Sequence, residues 1–428
     1  MNFFKAFGIY TVTGFATKAI SFLLLPFFTH YLSQSDYGLI TIFSNAFFLL
    51  APLMSMGIGE TFTVEYQGFQ HREMQTFVST SILVPVVGLP VMMAIVWIFH
   101  HELTSLTGLS ESILYLICLL NFFNFFCDYL FSILRNQRRP VFFGIMAVIK
   151  TTLELSLAIY FIGFCHDGYI GRVKSIFLNI LIISLVGIVF LVRNRLIIFN
   201  FSKKWLLLIL KRGFPAIPLF FMSFTMYNCD TFMVNYFYGP AKAGLYGLAG
   251  QFAFILTVIT TAFVTPFYPF LYENLMNGNR SKVASVVMRY VLFLTAVLAG
   301  LAVLTPVMFR FFISPKFHPA LYYLLLLLAG QYFYSLYLIL VGLIYYKRHN
   351  HIYYFICPLV ILFTIGTDYT LLHIVKVNQY AITSALGYFF CLILVAAIYQ
   401  KYIRRGFKLY FKRNLKVAPT IENNEYVN

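Results

Sequence analysis

The stretch GFPAIPLFFMSFTMYNCDTFMVNYFYG (213–239) has the composition of a membrane-spanning helix. At a rise of about 1.5 Å per residue, about 20 apolar residues cross the roughly 30 Å hydrocarbon core of a bilayer. Asp230 lies inside this apolar run, where a carboxylate has no water to solvate it. The stretch therefore predicts a membrane fold and, within it, a polar site.

Apolar runs of the same kind recur along the whole chain. Of the 428 residues, 61% are hydrophobic and 11% are charged, whereas soluble domains are roughly 45–50% apolar. We predict an all-α integral membrane protein with about 12 transmembrane helices. The predicted spans are 7–30, 38–58, 79–99, 112–134, 141–164, 174–193, 213–238, 244–271, 285–309, 320–344, 352–372 and 379–400.

The positive charge is concentrated on one side of these predicted spans. The formal net charge is +17, and 22 of the 31 Lys and Arg residues lie at the termini or in the loops on the same side, against six on the other. Positive loops stay in the cytoplasm, so both termini are predicted to be cytoplasmic. We expect no nucleic-acid partner. The basic tail 401–428 either attracts anionic membrane lipids or only anchors the topology.

The six cysteines form no CxxC pair and lie mostly in apolar runs. Disulfide frameworks and cysteine metal sites need closely spaced or loop cysteines. The sequence therefore predicts neither a disulfide framework nor a metal site.

A faint internal repeat divides the chain. YLSQSDYGLI (31–40) aligns with FYGPAKAGLY (237–246) at an offset of 206, which matches Gly38 with Gly244. Each half carries six predicted spans, as in transporters whose halves are related by an axis along the membrane normal. We predict an N-terminal lobe (1–205), a C-terminal lobe (206–400) and the tail 401–428.

Two segments, 16–61 and 213–271, resemble the beginnings of the two halves of bacterial polysaccharide-unit flippases. These are the Wzx, or O-antigen translocase, proteins of the multidrug/oligosaccharidyl-lipid/polysaccharide exporter superfamily. The clearest matches are Pro26, Tyr37-Gly38, Gly57, Pro215, Asp230, Gly239, Gly244-Leu245-Tyr246, Pro266 and Pro269.

This resemblance implies two six-helix lobes around a central cavity that opens alternately to each side of the bacterial cytoplasmic (inner) membrane. It implies a cargo of undecaprenyl-pyrophosphate-linked oligosaccharide for O-antigen or capsular polysaccharide synthesis. Partners would then include a polymerase and a chain-length regulator of the same glycan pathway. No cofactor is expected, apart from a coupling H⁺ or Na⁺.

The charged residues within the predicted spans include Lys18, Asp128, Lys150, Glu154 and Asp230. Each costs about 2.5–3.5 kcal/mol at the bilayer centre on insertion scales. They are therefore expected to face a wet cavity or one another.

The fourth predicted span carries a polar stripe at helical spacing, formed by Asn121, Asn124, Asp128, Ser132 and Arg135. Such a stripe either lines a substrate cavity or forms an interhelical hydrogen-bond seam. The first interpretation makes Asn121, Asn124, Asp128 and Arg135 candidate substrate-binding residues.

Two lysines, Lys18 and Lys150, lie at similar predicted depth near the middle of their spans. Both are candidates to neutralise a diphosphate, because lysine binds phosphate as a mobile point charge. The alternative for Lys18 is an ion pair with Asp128 or Asp230. The alternative for Lys150 is a pair with Glu154 one turn away.

Asp230 is predicted to lie in the outer half of the membrane, in a water-filled vestibule. It either binds a coupling cation or pairs with a lysine, and the alternative is a structural hydrogen bond to a neighbouring helix. Glu154 is the second candidate for an ion-coupling or ion-pair role.

We expect no enzymatic activity, because the predicted outer loops are short and no two carboxylates lie close together in any of them. A membrane glycosyltransferase or polymerase would need such groups on a sizeable outer loop. Asp230 keeps a second alternative open, a cation-coupled antiporter of small molecules or drugs.

Overall fold

A computed structural model describes residues 3–198, 200–214, 216–346, 353–374, 381–398 and 400, and these residues form helices and no strand. The basic tail and Pro215 lie outside them. The α-helices are α1 (Phe3–Leu23), α2 (Leu25–Tyr31), α3 (Gln34–Ser55), α4 (Ile58–Glu65), α5 (His71–Ile98), α6 (His100–Thr107), α7 (Glu111–Asn136), α8 (Pro140–Ile159), α9 (Gly168–Arg193), α10 (Lys203–Gly213), α11 (Ala216–Phe224), α12 (Asp230–Tyr238), α13 (Pro240–Met276), α14 (Arg280–Phe312), α15 (Leu321–Tyr346), α16 (Tyr353–Ile374) and α17 (Ala381–Ile398).

The predicted fold class is confirmed. Within the described part of the chain, ten helical segments are long and apolar enough to cross a membrane. The seventh predicted span is broken into α11, a π-helical segment (Thr225–Cys229) and α12. The eleventh has a shorter apolar helix, Phe355–Leu371. Several helices extend past the predicted spans, because their ends carry polar turns that hydropathy does not detect.

Two compact units divide the described residues. The first comprises the described parts of Met1–Leu248 and Asp368–Tyr380, with Met308–Ala320. The second comprises Ala249–Val307, Leu321–Thr367 and the described part of Ala381–Asn428. The lobe boundary at 205/206 stays a prediction.

Helix α7 is the central helix of the first unit. Most of its residues are buried, and it packs against α3, α5 and α9. Gly187 of α9 lies directly over the α7 backbone, where a Cβ atom would be 2.8 Å from the carbonyl oxygen of Phe126. Small residues permit such approaches, and close packing holds membrane helices together where lipid is as apolar as the side chains.

A buried polar seam joins the helices of the second unit. The Thr257 hydroxyl donates to Gln331 Oε1 (2.5 Å), and Gln331 Nε2 donates to the Tyr388 hydroxyl (3.4 Å). Thr260 donates to Ser335 Oγ at 2.7 Å, so the seam continues one turn along α13. Each hydroxyl or amide in this seam therefore has a partner that replaces water.

The repeated glycines meet inside the first unit. A Cβ atom on Gly38 would collide with the Pro240 carbonyl, and one on Gly244 would collide with the Gln34 carbonyl. Gly38 thus contacts Pro240, which lies four residues before Gly244, and Gly244 contacts Gln34, which lies four residues before Gly38. This reciprocity is the signature of a local two-fold axis, which relates residues at the predicted offset of 206.

Two other contacts in the first unit are related to each other by the same offset of 206 residues. The Ser314 N–H points to the Thr29 hydroxyl at 3.5 Å, and a Cβ on Gly108 would lie 3.6 Å from Asn235 Nδ2. Adding 206 to 29 gives 235, and subtracting it from 314 gives 108. The internal repeat predicted from ten residues therefore corresponds to a structural repeat.

Candidate functional site

The polar stripe of α7 divides into two strips with different surroundings. Asn121 and Ser132 are buried, and they donate to the carbonyls of Phe47 (3.2 Å) and Gly59 (3.4 Å) on neighbouring helices. These two residues form the interhelical seam. The other three polar residues, Asn124, Asp128 and Arg135, are less buried and lie along the adjacent edge of the helix.

Charged groups from three helices meet around Asp128. Asn124 Nδ2 donates to Asp128 Oδ2 at 2.8 Å. The cations of Lys150 and Arg135 and the carboxylate of Glu60 lie close enough to act electrostatically on Asp128. No cation lies within ion-pair distance of this carboxylate among the described residues. We call Glu60, Asn124, Asp128, Arg135 and Lys150 the charged cluster.

Helices α1 and α8 run parallel and place their lysines at the same level. Tyr10 packs edge-on against Phe143, with ring centroids 5.0 Å apart. Farther along both segments, Phe27 packs against Gly163. Lys18 lies eight residues beyond Tyr10 and Lys150 seven beyond Phe143, which is a difference of about 1.5 Å along the axis.

Neither lysine has a carboxylate partner among the described residues. Lys18 is exposed, and the half-buried Lys150 lies over the Phe131 ring with Nζ 5.8 Å from its centroid. Predicted pairing of Lys18 with Asp128 or Asp230 is not found in the described structure.

The pair of Lys150 with Glu154, which the sequence left open as an alternative, does not form. Glu154 Oε1 accepts from Arg172 Nη2 at 2.5 Å, and its Oε2 accepts from Asn179 Nδ2 at 3.0 Å. Both donors lie on α9, whose guanidinium and amide groups satisfy both oxygens of the carboxylate. Glu154 therefore joins α8 to α9 through an ion pair with Arg172.

Asp230 is buried rather than solvated in a vestibule, contrary to the prediction. Its side chain is 3% exposed, and its Oδ2 accepts from the Tyr246 hydroxyl of α13 at 2.7 Å. The hydrogen bond is the structural alternative that the sequence left open. The π-helical segment directly precedes Asp230, and such segments are frequent at functional sites.

A second buried carboxylate, Asp368 of α16, was missed by the sequence analysis. Asp368 is fully buried, and the Cys229 thiol lies within electrostatic reach of both Asp368 and Asp230. The Tyr369 ring packs against Phe237 of α12 at 6.1 Å, so the end of α16 that begins at Asp368 lies beside α12. An acidic residue within predicted span 352–372 was the signal that could have identified it.

Comparisons with known proteins agree with the observed fold. No protein-family profile matches this chain. It is 23% identical over 287 residues to an uncharacterized membrane protein of Haemophilus influenzae, a match that covers 65% of this chain and 67% of that protein. It is 22% identical over 287 residues to Lsg locus putative protein 1 of the same organism, over 64% of this chain and 67% of that one.

Two solved transporter structures share the fold. A multidrug resistance MATE family transporter of the MOP superfamily, in an inward-facing conformation, superposes with a TM-score of 0.73 at 13% identity, over 90% of this chain and 94% of that one. A MATE protein in complex with MaD3S has a TM-score of 0.57 at 14% identity, over 94% of each chain. The chain therefore has a MATE-like transporter fold.

Proposed function

We propose that this protein is a membrane transporter that flips undecaprenyl-pyrophosphate-linked oligosaccharide repeat units by alternating access, for O-antigen or capsular polysaccharide synthesis. The observation that carries the proposal is that Lys18 and Lys150 lie at nearly the same depth on two parallel helices. Neither lysine has a carboxylate partner in the described structure. The MATE-like fold supports transport as the activity, and the lysines favour an anionic cargo.

A diphosphate needs such groups to cross a bilayer. Its charges lose hydration in hydrocarbon, where an unpaired ion costs several kcal/mol. Two ammonium groups at the same depth neutralise the diphosphate near the middle of the bilayer, where it is farthest from water on either side. Lysine suits this role, because its long stem allows the charge to follow a moving phosphate.

The charged cluster supplies a mechanism for release. Before cargo arrives, Asp128 attracts Lys150, and the Asn124 amide holds Asp128 in place. The incoming diphosphate competes for Lys150, and the carboxylate attracts the lysine again when the cargo leaves. Arg135 lies seven residues along α7 from Asp128, about 10 Å at helical rise, and provides an earlier contact for the phosphate. A polymerase and a chain-length regulator would take the flipped units.

The proposal is tested by flipping in proteoliposomes with a fluorescent undecaprenyl-diphosphate-linked disaccharide. Lys18→Gln and Lys150→Gln are each expected to weaken cargo binding by about 1–3 kcal/mol, the scale of a charged hydrogen bond, and Lys→Arg should retain more activity than Lys→Gln. Lys174→Gln is the matched control, because Lys174 pairs with Asp167 at 2.7 Å. Wild-type activity of Lys18→Gln and Lys150→Gln at equal protein levels would refute the diphosphate role.

A second candidate function is the antiport of small molecules against a cation. Asp230 and Asp368 are both buried and lie near one thiol, and two neighbouring carboxylates favour the binding of a cation or a proton. The similarity to a multidrug resistance MATE family transporter agrees with this candidate. The same carboxylates would serve the flippase as the site for a coupling H⁺ or Na⁺.

A further inference from the structure

Helix α10 is too short to cross a bilayer and lies against the ends of other helices. It has 11 residues, about 16 Å at helical rise. Trp205 packs edge-on against Phe69 and Phe77, with ring centroids 5.4 and 5.6 Å apart. Arg212 pairs with Glu65 at 2.6 Å. The helix is thus fixed to the region where α4 ends and α5 begins.

Three stripes run along this helix. Trp205, Ile209 and Gly213 are buried against the protein. A second stripe, formed by Leu207, Leu210 and Phe214, is exposed to 55%, 37% and 69%. Its members are three and four residues apart, so they share one face.

Two lysines lie beside the exposed apolar stripe, and Lys204 Nζ also lies 4.8 Å from the centre of the Trp205 ring. Lys204 and Lys211 are exposed and seven residues apart, which places them on the same line along the helix. The sequence of α10, KKWLLLILKRG, has four basic residues and no acidic one. An apolar stripe beside a basic line matches a bilayer surface with anionic headgroups.

We propose that α10 lies in the plane of the membrane surface and binds anionic phospholipid through Lys204 and Lys211, with Leu207, Leu210 and Phe214 inserted among the acyl chains. The predicted orientation places α10 at the cytoplasmic leaflet, where anionic lipids collect. The helix connects the predicted sixth and seventh spans. Bound lipid therefore holds the start of the seventh span at a defined depth.

The experiment uses the full-length protein with one tryptophan on the apolar stripe. The chain has two tryptophans, so Trp97→Phe and Trp205→Phe with Phe214→Trp leave a single reporter, and Leu207→Trp is an independent second reporter position. Vesicles of phosphatidylcholine and phosphatidylglycerol carry brominated acyl chains on one lipid at a time. Bromine quenches tryptophan only at short range, so the two arms measure which lipid lies beside α10.

Brominated phosphatidylglycerol is expected to quench more than brominated phosphatidylcholine at equal mole fraction, and high salt should reduce the difference. Lys204→Gln with Lys211→Gln should lower this preference by about fivefold or more, because a lysine near an anionic surface contributes about fivefold in binding. Lys174→Gln with Lys242→Gln is the charge-matched control and should keep it.

Equal quenching by the two lipids would overturn the proposal, as would an unchanged preference after the Lys204 and Lys211 substitutions. Absence of quenching by either lipid at both reporter positions would show that the stripe does not enter the bilayer. None of these results depends on transport, so they leave the proposed function untouched.

Discussion

At the scale of single residues, Asp230 shows how a membrane helix carries a carboxylate. Burial removes water from the group, and the Tyr246 hydroxyl replaces part of that solvation with a hydrogen bond. Asp368 brings a second carboxylate to the same region. We propose this pair as the place where a coupling proton or Na⁺ binds.

Asp230→Asn is expected to remove the response of transport to a pH or Na⁺ gradient while leaving the protein folded. The asparagine amide oxygen still accepts a hydrogen bond from Tyr246. Unlike a carboxylate, however, the amide cannot bind and release a proton. The measurement is flux into vesicles with imposed gradients, at matched protein levels. Asp167→Asn is the control, because Asp167 pairs with Lys174 outside this site.

If ion gradients have no effect on wild-type flux, the cation role of Asp230 is wrong and its carboxylate serves the fold. The effect of Asp230→Asn would then appear in protein abundance rather than in the ion response.

At the scale of helices, the contact of α3 with α13 depends on the absence of side chains. Gly38 of α3 and Gly244 of α13 lie where the backbone of the other helix leaves no room for a methyl group. A backbone carbonyl cannot rotate away as a side chain does, so any larger residue must separate the helices. Gly250, on the same helix α13, has nothing within 4 Å of its would-be Cβ.

Gly244→Ala is therefore expected to lower thermal stability, with a cost of about 1–3 kcal/mol from overpacking. Gly250→Ala is the matched control and should stabilise the helix by up to about 1 kcal/mol, because alanine is the better helix former. Thermal unfolding of the two purified variants in the same detergent is the measurement. The close approach of α3 and α13 would be contradicted if Gly244→Ala were as stable as Gly250→Ala.

At the scale of the molecule, the internal repeat generates a local two-fold axis inside the first unit. Thr41 and Gly247 are equivalent at the offset of 206, and they contact each other across it: a Cβ on Gly247 would lie 3.2 Å from Thr41 Cβ. Residues that meet their own equivalents lie on the axis itself. The axis therefore passes between the N-terminal parts of α3 and α13.

Thr41→Cys with Gly247→Cys is expected to form a disulfide on mild oxidation, because the 3.2 Å between the two Cβ positions needs to widen only slightly to reach the separation of about 3.5–4.5 Å found in disulfides. If transport requires α3 and α13 to separate, the bridge should stop cargo flipping and a reductant should restore it. Formation is measured by reductant-sensitive mobility in a Cys165→Ser background, since Cys165 is exposed. Either single cysteine is the control, and no bridge under any oxidising condition would refute the axis.

Much of the fold was predictable from the sequence because membrane spans follow from composition alone. A bilayer requires long apolar helices, so hydropathy identified the ten confirmed segments and the all-helical class. The repeat was predictable too, since Gly38 and Gly244 are required where backbones touch. Sequence spacing also predicted that Lys18 and Lys150 share a level, because equal rise along parallel helices preserves depth.

Only the tertiary structure decided which partners the polar groups have. Periodicity assigned one face to Asn121, Asp128 and Ser132, yet neighbouring helices divide that face into a seam and an open edge. Glu154 pairs with Arg172 and not with Lys150. Arg172 lies on α9, and spacing within α8 does not show which side chains of another helix lie nearby. Asp230 and Asp368 are 138 residues apart in the sequence, and only packing brings them together. Helical spacing determines which residues share a face, whereas contacts between helices determine what that face meets.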